Sequence, residues 1–538
     1  MTFSNIQDFI TQSASRFGPK TALTHKTQSL SYVELATKVG ALARGLIGSY
    51  KPDFKSNKTC LNPGDRIAIY LPKQLETVIS LFAAVTAGGV FVPVNSLLKP
   101  PQVGYILNDC QVSVLITSLS RFRQLEKTLA KTQDIRIILT DCKVEDRPAG
   151  CERWEDLLAQ SNKEPSNLTR IYYQRSADDV AAILYTSGST GHPKGVTLSH
   201  RNLVEGAKSV APYLTNHADD KILAVLPLSF DYGLSQITTA FLVGAEVVLL
   251  EYLLPRDVVN AAVKFQITGL AAVPPLWVQL AELDWPQQAK QSLRYITNSG
   301  GAMPTSTIAK LQSQLPKTLV YLMYGLTEAF RSTYLDPKEL SSRPTSIGKA
   351  IPNATVLVIN DKGQLCQADE PGELVHVGVH VSLGYWQNQP KTDQKFKQLP
   401  PHLQSEYGTG LAVWSGDIVT KDQQDYLYFI GRNDDMIKSS GYRISPSELE
   451  EIASTHPSIQ HAAALGVTHR QLGQSILLVL TLDPNKPANQ KELMKFLKKQ
   501  LPNFMQPHFL EIVDSLPRNP NGKINRPLLQ EQYRYLAD

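Results

Sequence analysis

Between Tyr185 and Val196 the chain packs three glycines, four Ser or Thr hydroxyls and one lysine into twelve residues, Tyr185-Thr186-Ser187-Gly188-Ser189-Thr190-Gly191-His192-Pro193-Lys194-Gly195-Val196. Backbone N–H groups and hydroxyls in such a loop can wrap phosphate oxygens, with Lys194 supplying positive charge. No Gly-Lys-Ser/Thr triplet follows a glycine at the P-loop spacing, which excludes a P-loop phosphotransferase. A short Thr-Ser-Gly run alone would read as a surface turn; the whole stretch points to a polyphosphate.

Five further segments follow in order: Tyr324-Gly325-Leu326-Thr327-Glu328, Trp414-Ser415-Gly416-Asp417, Gly431-Arg432-Asn433-Asp434-Asp435, Lys438-Ser439-Ser440-Gly441-Tyr442-Arg443-Ile444 and Pro520-Asn521-Gly522-Lys523. Taken singly, Glu328 or Lys523 is an ordinary exposed side chain. Taken together, over about residues 5 to 535, the set resembles the AMP-forming adenylate ligases, the superfamily of acyl-CoA synthetases, firefly luciferase and nonribosomal adenylation domains.

The resemblance implies an ATP-dependent enzyme that activates a carboxylic acid as an acyl-adenylate, releases pyrophosphate and transfers the acyl group to a thiol. Coenzyme A is the expected acceptor. The alternatives are a freestanding amino-acid adenylating enzyme that loads a carrier-protein phosphopantetheine, and a catalytically silent adenylate-binding relative. The silent reading would need a lost group, and Thr327, Glu328, Asp417, Arg432 and Lys523 are all present. By resemblance, Thr186, Ser187, Gly188, Ser189, Thr190, Gly191 and Lys194 hold phosphates, Tyr324 and Gly325 face adenine, and Thr327 meets the α-phosphate. Glu328 holds Mg²⁺, Asp417 and Arg432 take the ribose, Asp434 is a hinge, Gly441 lies in the loop facing the thiol, and Lys523 is the catalytic lysine.

The chemistry agrees with that set. Driving a carboxylate against the α-phosphate of a polyanion requires screening and charge stabilisation, which Lys523 and a Glu328-bound Mg²⁺ would supply. The nucleophile is the substrate's own carboxylate, so no Ser–His–Asp arrangement is needed, and none is legible. His376 and His380 lie four apart, a zinc spacing on helices. Their segment reads as strand with no third ligand, so no metal is assigned there.

Leu226-Pro227-Leu228-Ser229-Phe230-Asp231-Tyr232-Gly233 carries the hint about the acid. By resemblance, Phe-Asp at this place marks amino-acid activation, the aspartate pairing with an ammonium. A buried carboxylate demands a cationic partner, and Arg331 is the competing candidate; if Asp231 pairs with Arg331, the amino-acid argument falls. Phe230, Asp231, Tyr232, Ser235, Ala272, Ser299, Gly300, Met323 and Arg331 are the expected acyl-pocket residues.

These groups need a scaffold, and its pattern is plain. Helical and strand-like runs alternate: a helix through Leu35–Leu46, a strand at Arg66–Leu71, a helix through Leu75–Ala87, strands at Val112–Ile116 and Val180–Tyr185, a helix from about His200 and a strand at Ala245–Leu250. That is parallel α/β architecture. From Gly372 short strands (Glu373–Val379, Ile418–Thr420, Tyr426–Ile430) suggest a β-lobe. Ser445-Pro446-Ser447-Glu448 reads as a capping box opening a helix through Leu449–Ala453. The expected fold is α/β: a large N-terminal part, 1–433, of two α/β subdomains plus a β-lobe, and a small mobile α+β C-terminal domain, 434–538.

Composition excludes other classes. With 42% hydrophobic and 19% charged residues the chain is an ordinary globular protein. A net charge of 54 − 49 = +5, with both signs dispersed, gives no footprint for nucleic acid. Thr77 to Leu98 carries no charge and is long enough to span a bilayer, but Gly88-Gly89 and Pro93 break it into a buried helix, a turn and a strand. Cys60, Cys110, Cys142, Cys151 and Cys366 show no CxxC spacing, which suits a reducing compartment. The start, Met-Thr-Phe-Ser-Asn-Ile, lacks a signal-peptide pattern, so cytoplasm is expected. The polar stretch from Ile47 to Asn62 reads as a surface loop. The chain ends at Asp538, shortly after Lys523, so any acyl carrier protein is expected in trans.

Overall fold

The computed structural model describes residues 3–48, 61–132, 134–161, 175–186, 193–432, 436–517 and 524–537. The loop expected between Ile47 and Asn62 lies almost wholly outside these residues, as do Ser187, Gly188, Ser189, Thr190, Gly191, Asp434 and Lys523.

Three sheets of seven, fourteen and five strands organise the chain. In the seven-stranded sheet the order is Cys151–Arg153, Arg136–Leu139, Val112–Thr117, Arg66–Tyr70, Val90–Pro93, Val180–Thr186 and Lys194–Ser199. The first six run parallel, each pair separated by a crossover, as the alternating pattern requires. The stretch after Thr77 resolves as the helix Leu75–Thr86, buried at every residue but Glu76, and the fully buried strand Val90–Pro93. Among the described residues no helix is long and apolar enough to cross a membrane.

The helix begins at His200 as expected, but the last strand is an addition to the expected pattern. The glycine-rich segment is followed not directly by a helix but by Lys194–Ser199, which returns antiparallel along Val180–Thr186 with Thr186 opposite Lys194. Four consecutive buried residues, Val196 to Ser199, carry this return strand into the sheet. The helix then starts at His200, capped by Ser199, six residues beyond Lys194. The two described strands that flank the segment thus pair antiparallel, and the strand Lys194–Ser199 stands between it and the helix.

In the fourteen-stranded sheet, the edge strand Gln28–Ser31 pairs antiparallel with Thr21–His25, which opens a parallel run through Glu246–Leu249, Lys221–Ala224, Gly269–Ala272, Tyr295–Asn298 and Leu319–Tyr324. The sheet continues without a break through antiparallel strands Thr333–Leu335, Ser346–Ala350, Leu427–Arg432, Leu411–Lys421, Gly372–Gly378 and Ala354–Ile359. A short strand, Phe396–Gln398, pairs with Leu411–Lys421. The β-lobe thus starts earlier than Gly372 and grows out of the second α/β sheet. Helices Tyr32–Ile47, Leu75–Thr86 and Asp231–Val243 share one core between the two sheets, with Phe241 meeting Tyr32 at 5.8 Å and Phe82 at 5.5 Å between ring centroids.

The C-terminal domain has its own five-stranded sheet and its own core, including Leu449, Leu478, Leu480, Leu493 and Leu497. Its helix Pro446–Ser454 is capped by the Ser445 hydroxyl, which accepts from the Glu448 amide. Only this half of the expected capping box forms. The Glu448 carboxylate turns away to accept from Gln102 Nε2 at 3.2 Å, in the N-terminal part. Beside it, the Tyr442 ring stacks on Phe504 at 3.8 Å and meets Phe230 edge-on at 5.1 Å.

Candidate active site

Lys194, at the start of the return strand, meets two groups far along the chain. Its Nζ donates to the Tyr385 hydroxyl at 2.6 Å and lies 3.5 Å from Glu328 Oε1. The Tyr385 hydroxyl donates to that same carboxylate oxygen at 2.6 Å. The backbone makes this possible. Thr197 N–H donates to Gly384 O, Leu383 N–H to Thr197 O, and Trp386 N–H to Gly195 O, so residues 383–386 run beside the return strand. Ser382 N–H donates to Glu328 O at 2.9 Å and anchors the third partner to the same segment.

Burial alone would push the Glu328 carboxyl up. Lys194 first, then Lys395, the Tyr385 hydroxyl and Arg443, outweigh burial and hold it well below the usual carboxylate range. Burial pushes Lys194 down, against the pull of Glu328. The cluster is a buried, ionised carboxylate beside a partly desolvated ammonium, at the Lys194 end of the return strand. Thr186, the last described residue before the glycine-rich segment, carries a buried hydroxyl with no partner among the described residues.

Tyr324, ending the strand Leu319–Tyr324, donates its hydroxyl to Asp417 Oδ2. Asp417 is buried on the strand Leu411–Lys421, where it pairs in register with Arg432, whose side chain is not described. The two residues expected to face adenine and ribose therefore meet, and Arg432 sits directly across the ladder. Gly325 packs against the backbone of Phe330 to Ser332.

On the other side of Thr327 lies the expected acyl region. Thr327 Oγ1 donates to Asp231 Oδ1 at 3.3 Å, and Arg331 Nη1 donates to Asp231 Oδ2 at 3.2 Å. This removes the sequence argument for amino-acid activation: Asp231 has its cation within the chain. Tyr232 is buried, its hydroxyl 2.6 Å from Thr297 Oγ1, and the Arg331 guanidinium lies 4.6 Å from its ring centroid. Met323 Sδ accepts from Tyr213, whose ring stacks on Tyr334 at 4.0 Å. Ser235 is buried one helical turn beyond Asp231. Ala272 closes the strand Gly269–Ala272, and Ser299 and Gly300 follow the neighbouring strand end.

Val273 joins this region to the C-terminal domain. A Cβ on Gly300 would sit 3.5 Å from Val273 Cγ1, and one on Gly441 would sit 2.7 Å from Val273 Cγ2. Gly441 also has φ +81, so backbone conformation and close approach both require glycine there. The turn Ser439–Tyr442 is thereby seated on Val273 and Phe230, and the charge of Arg443 acts on both Glu328 and Lys194.

Tyr385, Arg443, Lys395 and Val273 were not among the residues expected from sequence. Tyr385 had a signal: it lies in the run Gly384-Tyr385-Trp386 just ahead of the polar stretch Gln387 to Lys395. The two histidines weighed as metal ligands are buried and bonded to serines, His376 Nδ1 to Ser332 at 2.9 Å and His380 Nε2 to Ser209 at 3.0 Å.

Fold and site together define an adenylate-forming enzyme. The chain belongs to the AMP-binding enzyme family: the family model matches residues 10–386, and that of the AMP-binding enzyme C-terminal domain matches 448–523. It is 26% identical to a long-chain-fatty-acid–CoA ligase of Escherichia coli, over 100% of this chain and 96% of that one. It is 28% identical to gramicidin S synthase 2 of Brevibacillus brevis, over 97% of this chain and 11% of that much longer protein. The o-succinylbenzoate CoA synthetase of Bacillus subtilis is 25% identical over 97% of this chain and 98% of its own. A double mutant of it bound to a CoA product analogue superposes with TM-score 0.81, whereas its complex with the acyl-adenylate gives 0.66.

Proposed function

We propose that this enzyme activates a carboxylic acid with ATP, releasing pyrophosphate, and passes the acyl group to the thiol of coenzyme A. The observation that carries the reading is the seating of the Gly441–Tyr442 turn on Val273 and Phe230, with Arg443 acting on the Glu328–Lys194 pair. A thiol acceptor needs a second component brought to the acyl end, and this turn comes from a separately cored domain. The higher TM-score with the relative's CoA-analogue complex than with its acyl-adenylate complex supports the same arrangement.

In this reading the glycine-rich segment and Lys194 hold the phosphates, Tyr324 lies on adenine, and Asp417 exchanges the Tyr324 hydroxyl for the ribose. Thr327 positions the α-phosphate, and Lys523 stabilises charge as the acid's carboxylate attacks and pyrophosphate leaves. Glu328 fits a Mg²⁺ ligand, being an ionised hard oxygen donor among phosphate-binding groups; Mg²⁺ is commonly held by one or two carboxylates plus substrate phosphates. Such an ion would neutralise phosphate charge. Domain rotation about Asp434 would alternate Lys523 with the Gly441 turn at the acyl group. Loading of a carrier protein is the competing acceptor.

The test follows acid-dependent AMP and pyrophosphate formation over fatty, aromatic and amino acids, each with and without CoA. The expected result is an acid-dependent signal that yields acyl-CoA and is lost in Lys523→Ala. Absence of acid-dependent AMP formation across the panel would overturn the reading, and AMP formation without CoA consumption would move the acceptor to a carrier protein.

A further inference from the structure

Arg331 is held in a way that its ion pair does not explain. Its side chain is buried, at 1% exposure, yet only Nη1 has a partner, Asp231; Nε and Nη2 meet no acceptor among the described residues. Asp231, by contrast, is engaged on both oxygens, by Thr327 and Arg331, and by the Tyr232 amide. The pair is therefore engaged on both acceptor oxygens and open on its donor side. A buried guanidinium with open N–H groups recruits oxygen acceptors. It offers nothing to an ammonium.

The backbone that presents Arg331 is strained for the purpose. Phe330 has φ +55 and ψ −49, and Arg331 N–H donates back to Ala329 O at 2.6 Å, a γ-turn of the rare positive-φ kind. A bulky residue tolerates this only where its surroundings fix it. Here the Phe330 ring lies so close to Gly206 that a Cβ there would be 2.2 Å from it. The turn aims the guanidinium across Tyr232, two hydrogen bonds from Thr327.

We propose that Arg331 is a specificity-determining residue, and that the acid activated here carries a second oxygen acceptor, a hydroxyl, keto or carboxylate oxygen, close to its reacting carboxyl. The inference rests on the acid–thiol ligase reading above for the location of the acyl group. Closeness follows from the chain Thr327–Asp231–Arg331: the open donors lie one residue pair away from the group that positions the α-phosphate.

Matched acids decide it: plain, 3-hydroxy, 3-keto, terminal-carboxy and 2-amino forms on short-chain, medium-chain and aryl frames, with binding measured calorimetrically beside AMP formation. Wild-type protein is expected to bind one oxygen-bearing form at least about tenfold more tightly than its plain parent. Arg331→Met should abolish that ratio while leaving ATP binding unchanged, and Arg331→Lys should restore part of it. Plain or amino acids binding as well as the oxygenated ones, or no acid binding at all, overturns the inference, and the wild-type ranking stands even if Arg331→Met does not fold. Ranked binding without AMP formation would sink the ligase reading alone; AMP formation without ranking would sink only the role of Arg331.

Discussion

The two ends of the site meet at Thr327 and Glu328 and are built on different principles. At the end proposed for the nucleotide, Lys194, Tyr385 and Glu328 form a closed cluster in which each polar group has a partner of opposite character. At the end proposed for the acyl group, Asp231 and Arg331 also pair, but the arginine keeps two donors without a partner among the described residues. A closed cluster suits a ligand that every member of a family shares, because its geometry is set before binding. An open one suits the part of the substrate that differs, where leftover hydrogen-bonding capacity selects the partner.

The largest expected effect breaks the nucleotide end. Glu328→Gln should lower adenylation by about 10²–10³-fold, the scale of losing one preorganised electrostatic group, while acid binding at Arg331 persists. Pre-steady-state pyrophosphate release measures the first and calorimetry the second; a parallel loss of acid binding would mean the two ends are not separable. Next in size, Asp231→Ala strips Arg331 of its only ion-pair partner among the described residues and should cost about 2–3 kcal/mol of stability. Chemical denaturation would register it, and an unchanged midpoint would show that Arg331 finds another acceptor.

That contrast also explains what could be read from sequence. Each segment of the nucleotide end is contiguous, so Tyr324 to Glu328, or Trp414 to Asp417, shows itself in five residues or fewer. The parallel strands and their helices were legible for the same local reason. What escaped were contacts made at a distance. Tyr385 reaches Lys194 across 191 positions, through backbone bonds between residues 195–197 and 383–386 that no local pattern announces. The antiparallel return was hidden because Lys194 to Ser199 mixes lysine, glycine and hydroxyl residues in a strand. The Asp231–Arg331 pair was foreseen only as one of two outcomes, since a carboxylate's demand for a cation does not say which cation answers. Glu448 fitted the capping-box pattern, but tertiary contact with Gln102 drew its side chain elsewhere.

The domain contact sharpens the comparison at smaller amplitude. Gly441→Ala places a methyl against Val273 at a positive φ, so thioester formation should slow by about tenfold, the scale of 1–1.5 kcal/mol, with acyl-adenylate formation unchanged. Val273→Ala in the same chain should recover most of the loss. Single-turnover transfer from a preformed acyl-adenylate to CoA isolates the step, and equal slowing of both half-reactions would place Gly441 in general stability instead.

The smallest effect is a dependence on pH. Burial pushes the Glu448 carboxyl up from 4.5 to about 7, against the hydrogen bond from Gln102 and with the nearby Glu451 charge adding to the rise; Tyr105 lies within reach of the same charge. A raised carboxyl binds its proton more tightly when docked than when exposed, so protonation favours docking. Below pH 4.5 the contact has its full strength; between 4.5 and about 7 it weakens as the undocked carboxyl ionises first, and above that it changes no further. Glu448→Gln stays neutral throughout and keeps an oxygen for Gln102. It should therefore flatten the pH profile of the thioester step over that window, by a few-fold at its upper end, and leave the profile of adenylation as it was. If the profile keeps its slope in Glu448→Gln, the titrating group belongs to the reaction centre rather than to the contact that holds the two domains together.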